Sequence, residues 1–328
     1  MPLPAPLARN LRLPVVAAPM FLSSGPDLVL AACRAGVIGT FPALNQRTSE
    51  GFDRWLQQIR DGLAASPGAA AFGVNLIVHQ TNSRVPADLA ICARHRVPLV
   101  ITSLGAAREV VETVHAYGGL VFHDVTNARH ARKALAAGVD GLVLVAAGAG
   151  GHAGTLNPFA LLGEVRRFHR GPIALAGAMS SGADVAAAQA MGADLAYMGT
   201  RFNATRESMA APACKAMLVE AEAGDIVYTD AICTVPASFL RQSLVAAGLD
   251  PARLATPEKI DLAHVTQPYR KDLDERAVKP WRDIWTAGQG VGAISEIPPV
   301  EALVAGLAAE YRDAVTAFAE RSRGFAGA

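Results

Sequence analysis

The chain has 328 residues, of which 51% are hydrophobic and 18% charged, and its 30 Lys and Arg against 29 Asp and Glu give a net charge of +1. A chain of this length and apolarity can bury a large core, in one big domain or in two. The balanced charge and the lack of a long basic run disfavour a nucleic-acid partner.

Membrane and metal sites are also disfavoured by the sequence. No apolar run reaches the roughly 18–20 residues that a membrane span needs. The N-terminus lacks a basic region followed by a long apolar segment, so no signal peptide is evident and a cytoplasmic location is expected. The cysteines are far apart and form no CxxC pair: Cys33, Cys92, Cys214 and Cys233. This spacing indicates reduced, packed thiols and supports neither a zinc site nor a disulfide framework.

Short apolar strands alternate with amphipathic helices from residue 14 to residue 200. The predicted strands are 14–18, 37–41, 70–76, 98–102, 119–123, 141–145, 173–176 and 195–199. The predicted helices are 27–35, 49–64, 87–95, 106–117, 128–137, 158–169 and 183–191. Apolar, β-branched strands without strict alternation are typical of a parallel sheet that is buried on both faces.

Eight predicted strands in about 190 residues, with a helix after most of them, indicate an α/β fold of the (β/α)8 TIM barrel type. A doubly wound open sheet is the alternative, but no G-x-G-x-x-G opens a first βα unit. The pattern changes near residue 203, and we expect residues 203–295 to form a small helical cap on the substrate side. Residues 1–202 and 296–328 would form the barrel with its C-terminal helix.

The sixth predicted strand leads into a glycine-rich loop, residues 148–154, with the sequence Gly-Ala-Gly-Gly-His-Ala-Gly. Glycine lets a backbone take left-handed turns and approach a ligand closely, because no Cβ obstructs it. His152 is the one titratable residue of this loop, and it is placed as a base beside a cofactor would be. A glycine-rich turn whose imidazole only caps a neighbouring helix is the alternative interpretation.

The loops after the seventh and eighth strands of such barrels commonly bind phosphate. Here they contain the small residues Ala176-Gly177-Ala178 and Gly199-Thr200, each before a helix. A helix N-terminus exposes backbone N–H groups, and its dipole favours an anion. We therefore expect a phosphate group at these two loops.

Other strand ends carry further candidate contacts. The first strand ends in Ala18-Pro19-Met20, where small residues let a flat ring lie against the main chain. Asn75 is an amide at the end of an apolar strand and either meets a ligand or ties a neighbouring loop. His123 and Asp124 are adjacent and face opposite sides of their strand, so only one is expected to reach the ligand. We assign His123.

In their order along the chain, these motifs resemble the nitronate monooxygenase family, formerly called 2-nitropropane dioxygenase. The resemblance is carried by residues 17–20, 72–75, 148–154, 174–182, 192–202 and 285–294. The Gly-Gly-His-x-Gly segment is its most specific part. The resemblance implies FMN bound in a (β/α)8 barrel and His152 as the catalytic base on neutral nitroalkanes. The flavin contacts that it implies are Ala18, Pro19, Met20, Asn75, Gly150, Gly151, Ala176, Gly177, Ala178, Gly199 and Thr200.

The reaction that the resemblance implies is oxidation of alkyl nitronates by O2 to a carbonyl compound and nitrite. A homodimer is compatible with the sequence. Val145-Ala146 stands where many members have Gln-Gly, and Gly148-Ala149 where many carry an acidic residue, so a polar contact to the flavin would be missing.

Three other functions are weighed against this one. The first is an FMN-dependent NAD(P)H reductase of an enoyl thioester or quinone, and the second is a non-catalytic flavin-binding sensor. A metal-dependent lyase or aldolase is disfavoured, because the strand ends lack a carboxylate/histidine cluster or a buried lysine.

Overall fold

A computed structural model describes residues 3–105, 108–233, 235–254 and 282–325. Its barrel strands are β1 Val15–Ala17, β2 Ile38–Pro42, β3 Phe72–Ile77, β4 Leu99–Ser103, β5 Leu120–Val125, β6 Gly141–Val145, β8 Ile173–Ala176 and β9 Leu195–Met198. They are parallel and close in the order β1-β2-β3-β4-β5-β6-β8-β9. Because β1 pairs with both β2 and β9, the TIM barrel is confirmed and the open sheet is excluded.

The helices of the barrel lie between these strands. They are α2 Pro26–Ala35, α3 Ser49–Ala64, α4 Val85–His95, α5 Arg108–Ala116, α6 Ala128–Ala136, α7 Pro158–Arg166 and α8 Gly182–Ala190, with a short α1 Ala5–Ala8 before β1. Residues 106 and 107 of the predicted fourth helix lie outside the described residues. Within the described part of the chain, no helix is both long and apolar enough to cross a membrane.

The barrel interior is filled by apolar side chains from alternate strand positions. These are Val16, Ile38, Leu99, Ile101, Phe122, Val143, Ala174 and Leu195. Leu7 of α1 is fully buried in the same cluster. Helix α1 therefore closes the N-terminal end of the barrel, and the C-terminal strand ends remain available to a ligand, as in other barrels of this type.

The described part of 203–295 contains helices, as expected, and also strands that were not expected. Its helices are α9 Thr200–Asn203, which begins just before it, α10 Pro212–Glu220 and α11 Arg241–Ala246, and its strands are β10 Ile226–Thr229 and β11 Ala237–Leu240. Strand β11 pairs antiparallel with β10 and with β7, Gly151–His152, in a three-stranded sheet. The glycine-rich loop is thereby joined to the inserted segment. Residues 255–281 lie outside the described residues.

The expected C-terminal helix is α12, Val300–Ser322, which begins after Pro299 and packs against α8. Its first N–H group, on Val300, donates to both carboxylate oxygens of Glu207 at 3.0 Å. Glu207 therefore caps α12. Helix α10 begins at Pro212, a residue that suits a first helical turn.

Gly182, the first residue of α8, marks the closest approach of α8 to α12. A Cβ at this position would clash with the carbonyl oxygen of Leu307 and the backbone nitrogen of Tyr311. The Gly182 N–H group also donates to Glu310 Oε2 at 2.7 Å. The two helices can pack this closely only because position 182 lacks a side chain.

We expect Gly182→Ala to lower the free energy of unfolding by about 1–3 kcal/mol, because the added methyl group must push two helix backbones apart. Gly163→Ala in α7 is the matched control, since a Cβ there meets nothing within 4 Å. That change should raise the free energy of unfolding by about 0.5–1 kcal/mol, the usual gain from Gly to Ala inside a helix. Urea denaturation measures both, and a Gly182→Ala variant as stable as the parent protein would contradict the close packing.

Candidate active site

A cavity of about 950 Å3 lies at the C-terminal end of the barrel. Small-molecule and cofactor sites typically have volumes of about 300–1,000 Å3. All the residues assigned from the sequence line it: Ala18, Pro19, Met20, Asn75, His123, Gly150, Gly151, His152, Ala176, Gly177, Ala178, Gly199 and Thr200. The structure thus brings them together at one site, and the role of each one stays a prediction.

His152 is held by the inserted segment as well as by its own loop. Its backbone pairs with Ala237 of β11, and the next carbonyl, of Ala153, accepts a hydrogen bond from the Tyr228 hydroxyl at 3.0 Å. The Sγ atom of Cys233 lies 3.9 Å from His152 Nε2. The half-buried imidazole is therefore placed at the cavity by contacts with residues 228–237.

The other side of the glycine-rich loop contacts residues 287–289. The carbonyl oxygen of Gly148 accepts hydrogen bonds from Ala178 N at 3.1 Å and from Gln289 N at 2.9 Å. A Cβ on Gly150 would lie 2.8 Å from Gly288 N. Glycine is required at position 150 because two stretches of backbone touch there. The sequence had suggested only a close approach to a ligand.

A hydrogen-bonded chain of three polar side chains crosses the inner face of the barrel at the cavity. Asn75 Nδ2 donates to Ser103 Oγ at 2.6 Å, and Ser103 Oγ donates to Asp124 Oδ2 at 2.6 Å. Asn75 also donates to the carbonyl of Ile101 at 3.2 Å. Asn75 therefore both ties β3 to β4 and lines the cavity. Ser103 was not assigned to the site from the sequence. Its position as a polar residue at the end of an apolar strand was the signal that could have identified it.

The inner position on β5 belongs to Asp124 and the outer position to His123. Phe122 packs in the barrel interior, whereas Val121 packs with the surrounding helices. Alternation along a strand then turns Asp124 inward and His123 outward. His123 still lines the cavity, which continues past β5. The residue assigned from the sequence is thus on the flank of the site, and its neighbour is in the barrel mouth.

Burial shifts the pKa values of these two neighbours in opposite directions. Desolvation raises the pKa of Asp124 to about 6, against the opposing hydrogen bond from Ser103. Desolvation, with further contributions from nearby His130 and Lys133, lowers the pKa of His123 to about 4. His123 Nδ1 lies 2.7 Å from the hydroxyl oxygen of Thr102. Each shift favours the neutral form of its residue, as burial does in general.

The N-terminus of α8 is capped by the protein itself. The backbone N–H groups of Ser180 and Ser181 donate to Asp184 Oδ2 at 2.8 and 2.9 Å, and Asp184 N donates to Ser181 Oγ at 3.2 Å. The N–H groups of Ser180, Ser181 and Asp184 therefore already have partners, and the capping box Ser181-x-x-Asp184 was the sequence signal for this cap. The phosphate expected at residues 176–178 and 199–200 stays a prediction. The preceding residues Gly177 and Ala178 line the cavity with positive φ angles of 136° and 53°.

The opposite wall of the cavity is built from small residues. A Cβ on Gly199 would lie 3.8 Å from Ala18 Cβ and 3.7 Å from Met20 Cγ, so these positions are side by side. Thr200 Oγ1 accepts a hydrogen bond from Gly288 N at 2.8 Å. The absence of a side chain at Gly199 and the small side chain of Ala18 leave room there for an aromatic ring system such as a flavin.

A model of the nitronate monooxygenase family matches residues 8–310. This chain belongs to the nitronate monooxygenase family. A nitronate monooxygenase of Paraburkholderia phytofirmans is 26% identical over 92% of this chain and 93% of its own length. The structure of a nitroalkane oxidase from Streptomyces ansochromogenes has a TM-score of 0.79 and 29% identity, and the match covers 96% of this chain and 100% of that one.

A third relative is named for a different activity. The 5-hydroxy-7a-methyl-1-oxo-octahydro-1H-indene-4-carboxyl-CoA dehydrogenase of Rhodococcus jostii is 30% identical over 60% of this chain and 53% of its own length.

Membership of the family makes this chain a flavin-dependent oxidoreductase that acts on nitronates or nitroalkanes.

Stability in acid should depend on His123. Its pKa falls from 6.5 to about 4 on folding, so the unfolded chain binds more protons in that range and stability decreases as the pH drops through it. We expect His123→Asn to flatten this decrease, measured by urea denaturation at a series of pH values.

Asp124→Asn is the matched control for this prediction. The pKa of Asp124 rises from 3.8 to about 6 on folding, so this residue loses stabilising free energy as the pH rises through that range. Its removal should make the dependence on pH steeper. A His123→Asn variant with the parent's dependence on pH would contradict the burial argument.

Proposed function

We propose that this enzyme uses FMN and O2 to oxidise alkyl nitronates to a carbonyl compound and nitrite, and that His152 is the base when the substrate is a neutral nitroalkane. The observation that carries the proposal is the position of His152, on a glycine-rich loop at a cavity of about 950 Å3 in the barrel mouth. Family membership supports the class of reaction.

The FMN assignment is supported by the wall of the cavity. Ala18, Met20 and Gly199 lie side by side on one wall, and the backbone of Gly177 would contact the phosphate, since the N–H group of Ala178 is already bonded to the carbonyl of Gly148. Bound FMN supplies the electron acceptor for the substrate and the place where O2 reacts. The protein contributes binding, orientation and proton transfer.

His152 has the chemistry that proton abstraction requires. Imidazole changes its charge close to neutral pH, so it can accept a proton under physiological conditions. It takes the proton from the carbon next to the nitro group, and the C–H electron pair moves into the nitro group to give the nitronate. A substrate that arrives as the nitronate has already lost this proton. His152 then only helps to hold the anion.

We further propose that residues 203–295 cover the substrate side of the cavity. Tyr228, Val235 and Pro236 belong to this segment and line the cavity. The sheet that joins β11 to the loop of His152 gives the cover a direct connection to the base. A cover over the mouth excludes water from the reacting groups.

The second candidate is a flavin-dependent reductase that acts on a CoA thioester. The relation to a carboxyl-CoA dehydrogenase favours it, and so does the extension of the cavity to His130 and Lys133 on α6, where an anionic group of a long substrate would find positive charge. Anaerobic rapid mixing distinguishes the two candidates. A change of the flavin absorbance with propionate 3-nitronate and none with NADH supports the oxidation of nitronates. Bleaching by NADH alone supports the reductase.

The role of His152 is tested by His152→Asn. We expect turnover of a neutral nitroalkane to fall by about 10²–10⁴-fold, the usual contribution of a general base, while turnover of the matching nitronate falls only a few-fold. His115→Asn, on α5 and bonded to Asp140, is the control, since it lies outside the cavity and should change neither rate. Steady-state kinetics on the two substrates measures the difference. Equal losses on both would refute the assignment of the base.

A further inference from the structure

One buried side-chain atom at the cavity has no hydrogen-bond partner in the part of the chain that the structure describes. Several buried side-chain atoms lack a hydrogen bond within the described residues: Arg84 Nε, His95 Nδ1, Asp124 Oδ1, Ser180 Oγ and Gln242 Oε1. Of these residues, Asp124 is the one that lines the cavity. A buried polar atom without a partner is costly and uncommon in folded proteins, so this atom indicates a missing ligand contact.

Asp124 is also presented in a fixed orientation. Its Oδ2 atom accepts the hydroxyl proton of Ser103 at 2.6 Å, and Ser103 is held in turn by Asn75. The carboxyl group therefore has one oxygen bound to the protein and the other, Oδ1, left for a molecule in the barrel mouth. Apolar Val145 on β6 lines the same cavity and offers it no hydrogen bond.

We propose that Asp124 binds the flavin ring directly, and that it carries a proton on Oδ1 and donates it in a hydrogen bond to an acceptor on the polar edge of the ring. This inference rests on the proposed FMN cofactor. The polar edge of an isoalloxazine carries two carbonyl oxygens and the ring nitrogens N1 and N5, which accept hydrogen bonds, and a single donor, the N3–H group. A charged carboxylate would meet these acceptors with unfavourable electrostatics, whereas a carboxylic acid pairs with them.

The groups around Asp124 agree with a protonated carboxyl. Burial raises its pKa to about 6, and no cation contributes to that shift. Tyr197 on β9 faces it, and the pKa of Tyr197 is itself raised by burial and by Asp124. His152 lines the cavity from its loop, His123 points to the other side of β5, and Lys133 lies on α6. A flavin that covers Asp124 removes further water and should raise its pKa more.

The proposal predicts that FMN binding takes up a proton. Because binding raises the pKa of Asp124, the contribution to affinity is complete below about pH 6 and is lost as the pH rises through the pKa of the complex. The phosphate group of FMN titrates in a similar range, but it does so equally in every variant. The comparison between variants therefore isolates Asp124.

The experiment measures the dissociation constant of FMN from the holoenzyme, by flavin fluorescence on dilution, between pH 5.5 and 8.5. Asp124→Asn keeps a donor but cannot titrate, so its affinity should depend less on pH than that of the parent protein. Asp124→Ala loses the donor and should bind FMN about three- to tenfold more weakly at pH 5.5. Asp313→Asn, exposed on α12, is the control and should match the parent at every pH.

Ser103→Ala provides a second test in which Asp124 is kept. It removes the hydrogen bond that lowers the pKa of Asp124, so the dependence of FMN affinity on pH should move to higher pH. Far-UV circular dichroism establishes that each variant is folded.

The inference is overturned if Asp124→Ala binds FMN as tightly as the parent at pH 5.5, or if Asp124→Asn keeps the parent's dependence on pH. It is also overturned if the parent protein does not bind FMN. The binding experiment contains no substrate, so it does not depend on the nitronate reaction. If FMN binding follows the predicted pH dependence but the enzyme does not turn over nitronates, the role of Asp124 stands and only the proposed reaction is rejected.

Discussion

The active site depends on how the backbone of the loop 148–154 fits between two other parts of the chain. On one side Gly151 and His152 pair with β11, and on the other the carbonyl of Gly148 accepts hydrogen bonds from Ala178 and Gln289. A hydrogen bond between two backbone groups holds a loop without ordering a flexible side chain, so it costs no side-chain rotamer entropy. The position of the imidazole is thus set by residues that are distant in sequence.

The barrel could be predicted from the sequence because its signals are local. Each strand is an apolar run buried on both faces, and each is followed by a helix with an apolar stripe. The same reasoning could not find the sheet of β7, β10 and β11. Strand β7 has two residues, Gly151 and His152, with no strand-like pattern, and its partner lies far along the chain. The role of Glu207 could not be predicted for the same reason, since the helix that it caps begins far along the chain, at Val300.

The residues that line the cavity could be predicted from the sequence, but the orientation of β5 could not. All the assigned residues line the cavity, because the C-terminal strand ends of a barrel must converge there. The sequence could not show which of the neighbours His123 and Asp124 faces the barrel interior. In a strand that is apolar on both faces, the sequence shows that neighbours point to opposite sides but does not show which side is the interior. Phe122, packed inside the barrel, settles it.

The orientation of β5 explains how a site with apolar residues on the next strand, β6, can still offer a polar side chain to a ligand. Val145-Ala146 seemed to remove a polar contact to the flavin, and Val145 does line the cavity. Beside it on the inner face, half-buried Asp124 is held by Ser103, and desolvation raises the pKa of its carboxyl to about 6. An apolar neighbour favours the neutral acid, because it offers no compensation for a charge. Under the proposal for Asp124, the polar contact to the flavin comes from β5 instead of β6, and the apolar side chain of Val145 favours the protonated carboxyl that makes this contact.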